Sequence, residues 1–297
     1  MAFRILEFLS VFACCILCAL PAAVCVCAKL RALLGRAPVP ASGPVAAPDG
    51  TEESAPAGPG RSIRLSLSLA ACAALAAFLW IPFGSLPALL PAPWGGLALL
   101  GCLALTPGFA EGRLRDSATR NKARVLLLLG LCLALCAWYA RQRSLPGYPF
   151  SLDGYVAVPL AGLMGWQERL GMLLPAAALL LALRDVQHDL ASGLAQAPRL
   201  EPGEARAAVV TALTRQIWIF AVLGAAVCLF VPFCPATRLG MSGATGLAVD
   251  LLVFWLKVLL ADHALWAARN AFPRFSTRPS WAHASLAGLG TLCLLSA

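Results

Sequence analysis

Val125-Leu-Leu-Leu-Leu-Gly-Leu-Cys-Leu-Ala-Leu-Cys-Ala-Trp-Tyr-Ala140 holds no charged side chain, yet Arg120, Lys122 and Arg124 precede it and Arg141 and Arg143 follow it. A surface helix of a soluble domain needs a polar face recurring at the helical period, and this stretch has none. It must be surrounded by apolar matter on every side. With its flanks it approaches the roughly 20 residues that cross a bilayer as a helix, which makes it a transmembrane segment with charged ends.

Outward from this segment the pattern repeats. Apolar runs fall at residues 5–28, 65–81, 94–109, 125–140, 170–183, 207–231, 246–266 and 281–297. The expected fold is therefore all-α, a polytopic transmembrane helical bundle of about eight helices forming one integral membrane domain over 1–297. Composition agrees: 60% of the 297 residues are hydrophobic and 12% are charged, about half the charged share of an average soluble protein. That excludes a soluble globule. The recurring runs also exclude disorder, collagen, a coiled coil and a secreted disulfide scaffold. The first run has Arg4 ahead of an apolar core, as a signal peptide does, but its length and the following Lys29, Arg31 and Arg36 favour a retained helix.

The net charge of +9 comes from basic residues spread between spans rather than from a compact patch, so nucleic acid is not an expected partner. When loops and the span ends beside them are assigned to alternate sides, seventeen of the 23 Lys and Arg fall on one side, Arg215 among them, and five on the other, with Lys257 inside a span. The positive-inside rule then places the richer side in the cytoplasm and both termini away from it. The cytoplasmic connections are residues 29–64, 110–124, 184–206 and 267–280. Within the first, the Ala- and Pro-rich residues 37–60 cannot build a packed core and are expected to form a flexible loop. The outer loop 144–166, with Tyr148, Phe150, Tyr155 and Trp166, is expected to lie along the interface as an aromatic belt. No inverted repeat of the transporter kind is visible. Most of the 12 cysteines sit inside apolar runs as small buried hydrophobes. Cys15 and Cys18 form a C-x-x-C with no second pair or histidine nearby, so no metal site is expected.

Lys257 stands near the middle of the seventh run, too deep for its stem to reach water comfortably, and it needs a partner. Asp250 lies seven residues earlier and nearly on the same face, while Asp262 lies five residues later toward the cytoplasmic end. Together they predict a polar stripe facing the interior. Intramembrane ionisable residues mark ion pathways, and a fixed interhelical ion pair is the alternative for the same side chains. His263 is expected to be a solvated or interface residue.

The run Trp266-Ala-Ala-Arg269-Asn-Ala-Phe272-Pro273-Arg274-Phe275, followed by Arg278 and Trp281, resembles the W-x-R-A-x-x-P-R-F/Y signature of the respiratory complex I membrane subunit that forms the quinone chamber. The related subunit of formate hydrogenlyase and energy-converting hydrogenases is similar in layout: a lysine in the seventh helix, a short basic loop and one last helix. Lys257, Arg269, Arg274 and Trp281 match in type and order, and Ser117-Ala-Thr-Arg120 faintly resembles a serine-arginine of the hydrogenase branch. The specific match covers roughly the last 40 residues, with the remainder similar only in layout.

This sequence departs from that family where protons would move. Ala182 stands where a membrane glutamate is expected, the fourth span lacks its glutamate, and the basic-glycine-proline motif of the first cytoplasmic loop is replaced by residues 37–60. Glu201 and Glu204 are candidate remnants of the loop carboxylates. Two readings follow: a diverged anchor without the full ion path, or a different polar set centred on Lys257, Asp185, His188 and Asp189. The last three share a helical face by their i, i+3, i+4 spacing, as would a solvated helix end.

What the resemblance implies is an integral subunit of the bacterial inner membrane that anchors the peripheral redox arm of a complex I-like or energy-converting [NiFe]-hydrogenase complex, coupled or not to proton or sodium movement. It has no catalytic centre of its own: no Ser/His/Asp set, Walker loop or metal-ligand cluster is present. The implied partners are a hydrogenase-like large subunit, an iron–sulfur small subunit and antiporter-like membrane subunits, within the lipid bilayer. The [NiFe] centre and iron–sulfur clusters would lie in those partners, and quinone binding is left open. Docking falls to Arg113, Arg120, Lys122, Arg269, Arg274 and Arg278. From a different class, a stand-alone small-molecule permease would place a polar site at Lys257, with broken helices and a midplane cavity.

Overall fold

The computed structural model describes residues 20–29, 31, 61–83, 86–90, 93–110, 116–145, 150–196, 202–241, 243–271 and 281–296. Outside them lie the first part of the 5–28 run with Cys15 and Cys18, the expected loop at 37–60, Glu201, Arg113, Arg274 and Arg278. Among the described residues the chain is helical. Its helices are α1 Leu20–Lys29, α2 Arg61–Ala76, α3 Gly95–Ala110, α4 Asp116–Gln142 and the short α5 Leu152–Ala157. There follow α6 Trp166–Gln196, α7 Pro202–Phe230, the single turn α8 Pro235–Arg238, α9 Gly243–Ala271 and α10 Trp281–Leu295. The described residues contain no strand, only an isolated bridge between Phe83 and Leu86.

Four helices, α4, α6, α7 and α9, are long and apolar enough to cross a membrane. The other apolar helices are shorter, α2 continuing as a 3-10 turn over Ala77–Trp80. Helices α4 and α6 extend well past the apolar runs that identify them. Their added turns carry Asn121, Arg124, Asp185 and Asp189, whose side chains meet between the two helices. Pro175 lies inside α6 without ending it.

Helix α7 forms the centre. Every residue from Gln216 to Leu229 is buried, so its apolar character on all sides is matched by protein on all sides. Trp218 is fully buried and donates its indole N–H to the Leu103 carbonyl of α3 at 2.9 Å. Around Phe220, inside α7, the rings of Phe78, Phe83, Phe220, Phe254 and Trp255 form an aromatic cluster with contacting ring centroids 5.2 to 6.3 Å apart. Helix α9 instead packs through one face and leaves Leu252, Leu256 and Leu260 exposed along the other. Helix α10 lies against α6 at a crossing of Gly171 and Gly290.

The connection at 144–166 is not a simple aromatic belt. Leu152 and Tyr155 are buried in the core, Phe150 stacks on Trp94 at 6.0 Å, and Trp166 is exposed. The cause is α5, which packs against α7 and pulls its own aromatic residue inward.

Candidate functional site

The ionisable residues of the seventh run do not form one stripe. Asp262, in the last third of α9, is buried and lies 3.0 Å from the ammonium of Lys29, the last residue of α1. Gln216 of α7 and Gln187 of α6 close the site from the other two sides. The Gln216 amide donates to Asp262 Oδ1 at 3.0 Å and the Gln187 amide at 2.5 Å, while Lys29 also donates to Gln216 Oε1 at 2.7 Å. Lys29 further stands 5.0 Å from the Trp266 ring centroid. One carboxylate thus ties together four helices, and an acceptor-only carboxylate completes that ring of donors.

A second polar pair group sits beside it. Asp185 lies 3.7 Å from the Arg124 guanidinium of α4 and 3.6 Å from Nε2 of His283, in the first turn of α10. One turn on, Asp189 accepts from the Asn121 amide at 3.0 Å. Asp185 and Asp189 therefore both face α4. His188 is exposed, as is His263, and the histidine that meets Asp185 is His283.

Lys257 belongs to the other end of the bundle. A helical side chain leans toward the N-terminus of its own helix, and this lean carries its ammonium to the carbonyls of Val231 and Phe233 at 2.9 and 2.5 Å. These carbonyls lie just past the C-terminus of α7, where a cation is favoured. Its partner is thus backbone rather than Asp250. Asp250 is buried, accepts the Ala236 N–H of α8 at 3.0 Å through Oδ1, and has no hydrogen-bond partner at Oδ2. Nearby, Cys234 is half-buried, and its thiol is held above its usual range by burial and then by Asp250, with Lys257 opposing.

At this end a half-open cavity of about 590 Å³ is lined by Pro82, Leu86 and Pro87, by Asp153 and Val156 of α5, and by Cys234 with its two preceding residues. Glu168 forms a separate knot there, accepting from Gly165 N at 2.7 Å, Tyr139 at 3.0 Å and Arg143 at 2.6 Å. Of the basic docking residues, Arg120 is exposed, Lys122 is buried, and Arg269 lies in the last turn of α9. No group of three or more His, Cys, Asp or Glu side chains that could hold a metal occurs among the described residues.

Sequence reading singled out Asp262 but missed Lys29, Gln187, Gln216 and His283 as its companions and neighbours. Part of the signal was present: Gln216 lies inside the 207–231 run, where an amide needs partners, whereas Gln187 lies just past the 170–183 run. No family model matches the chain, and no curated protein matches it.

Proposed function

We propose that this chain is a non-catalytic membrane subunit that anchors the peripheral arm of a complex I-like or energy-converting hydrogenase-type redox complex. In this reading it spans the bacterial inner membrane about eight times, with both termini on the non-cytoplasmic side. The observation that carries it is the Lys29–Asp262–Gln187–Gln216 lock. It fixes four helices, among them α9, which carries Trp266 and Arg269. A docking platform needs such rigidity, and a gate that moves does not.

Neutralising Arg269 and Arg274 together tests the anchor. The R269Q/R274Q variant is expected to insert normally and to lose co-purifying peripheral subunits, whereas their unchanged recovery would overturn docking through this loop. Coupled proton or sodium movement is proposed only for residues outside the lock, because Lys29, Gln216 and Asp262 are engaged with one another.

One observation favours a stand-alone permease. The family resemblance calls for an opening at the cytoplasmic helix ends, while a 590 Å³ cavity among the described residues lies at the other end, beside Asp153 and Cys234. Against a midplane substrate site, Lys257 is engaged by two backbone carbonyls. Purification of the chain alone from its native membrane, with substrate flux in vesicles, would decide for the permease.

A further inference from the structure

The half-open cavity of about 590 Å³ is of the size that takes a small molecule, and its wall is chemically one-sided. Pro82, Pro87, Pro159 and Pro232 all line it, and a proline has a fixed φ and no N–H to offer. The backbone N–H groups of Leu86 and Phe233, also on the wall, are already bonded to the carbonyls of Phe83 and Val231 at 3.2 and 2.8 Å. The Cys234 thiol is only a weak donor. Such a wall is rigid and short of hydrogen-bond donors.

Against this apolar, acceptor-biased surface stands one carboxylate. Asp153 accepts the Ala88 N–H at 2.7 Å through Oδ1, while Oδ2 has only the Ser151 hydroxyl at 3.4 Å. A carboxylate offers about four acceptor positions, so capacity remains on the cavity side. Among the described residues no cation pairs with it. The ammonium of Lys257 is engaged instead by the Val231 and Phe233 carbonyls. A partly buried charge without a counter-ion is unfavourable, and a ligand that brings a cation relieves it through a charge-assisted hydrogen bond.

We propose that this cavity binds an ammonium ion carried on an apolar body. Its N–H groups donate to Asp153, and its hydrocarbon part lies against Leu86, Val156 and the prolines. An anion is repelled by Asp153 and finds few donors, and a neutral hydrocarbon leaves the carboxylate unpaired. A free alkylamine and the ethanolamine headgroup of a membrane lipid share this chemistry. The site is built from this chain alone, so it stands or falls separately from the anchor reading.

Calorimetric titration of the purified full chain in phosphatidylcholine nanodiscs with octylammonium chloride, against empty nanodiscs, tests it. Saturable binding is expected for octylammonium and not for octanoate. D153N keeps an oxygen for the Ala88 N–H and is expected to weaken binding about tenfold or more, the scale of one charge-assisted bond. A157W, which places a large side chain at an exposed edge of the wall, is expected to abolish binding with Asp153 in place. Adding phosphatidylethanolamine to the nanodiscs separates the sources: a weaker apparent octylammonium affinity assigns the site to the lipid headgroup, an unchanged one to a free amine, and both support the ammonium site. Wild-type binding no greater than that of empty nanodiscs, octanoate binding as tightly as octylammonium, unaltered binding in A157W, or D153N affinity within about twofold of wild type would each overturn the proposal.

Discussion

At the residue scale the lock around Asp262 dominates, because a buried charge that loses its partner costs far more than an exposed one. Removing Lys29 alone, as K29M, is expected to destabilise the bundle by about 3–5 kcal/mol, since the buried Asp262 loses its counter-ion. The K29M/D262L double variant should recover only part of this. Gln187 and Gln216 would each be left with buried amide donors, at about 1–3 kcal/mol apiece. Thermal unfolding of the three proteins in one detergent measures the difference; equal midpoints for the wild type and K29M would contradict the lock. Cys234 offers a separate check. Its raised thiol pKa means that the reactive thiolate is scarce at neutral pH, so alkylation should accelerate only as pH rises above the usual thiol range. Rapid labelling at neutral pH would contradict that burial. The sequence marked Lys257 as needing a partner and looked for it along its own helix, but periodicity along one helix says nothing of which neighbours close over it. Lys29, counted only as a loop charge, lies on another helix far away in the chain.

At the element scale most helices were legible, since an unbroken apolar run leaves little choice but helix in lipid. Helix ends were less so: α4 and α6 continue beyond their runs because polar pairs between them hold the added turns, a tertiary effect absent from hydropathy. The inward turn of Tyr155 was equally hidden, as it depends on α5 finding α7. The α6–α10 crossing makes a sharp prediction. A methyl group on Gly290 would collide with Pro175 Cδ and sit 2.7 Å from the Gly171 carbonyl oxygen. Close backbone approach through small residues is a principal source of helix association in membranes. G290A should therefore cost about 1–3 kcal/mol by overpacking, lowering the unfolding midpoint, while G288A, whose added methyl meets nothing within 4 Å, should not. Equal midpoints for the two variants would show that α10 does not lie where the structure puts it.

For the whole molecule the distribution of charge is the organising fact. Scarce ionisable groups collect at two ends: the Lys29, Asp262, Asp185 and His283 region at one, and the Lys257, Asp250, Glu168 and Asp153 region at the other. The apolar centre of α7 lies between them. The topology this implies is testable by reporter fusions after residues 60, 145 and 200, with the first and last expected in the cytoplasm and the second outside it. The reverse pattern would invert the docking face and remove the basis for an anchor. The central claim, membership of a redox complex, is tested most directly by purifying the tagged chain from its native membrane in mild detergent and measuring nickel, iron and co-purifying subunits. The account predicts a hydrogenase-like large subunit and an iron–sulfur subunit carrying those metals; recovery of the chain alone, free of nickel and iron, would contradict it.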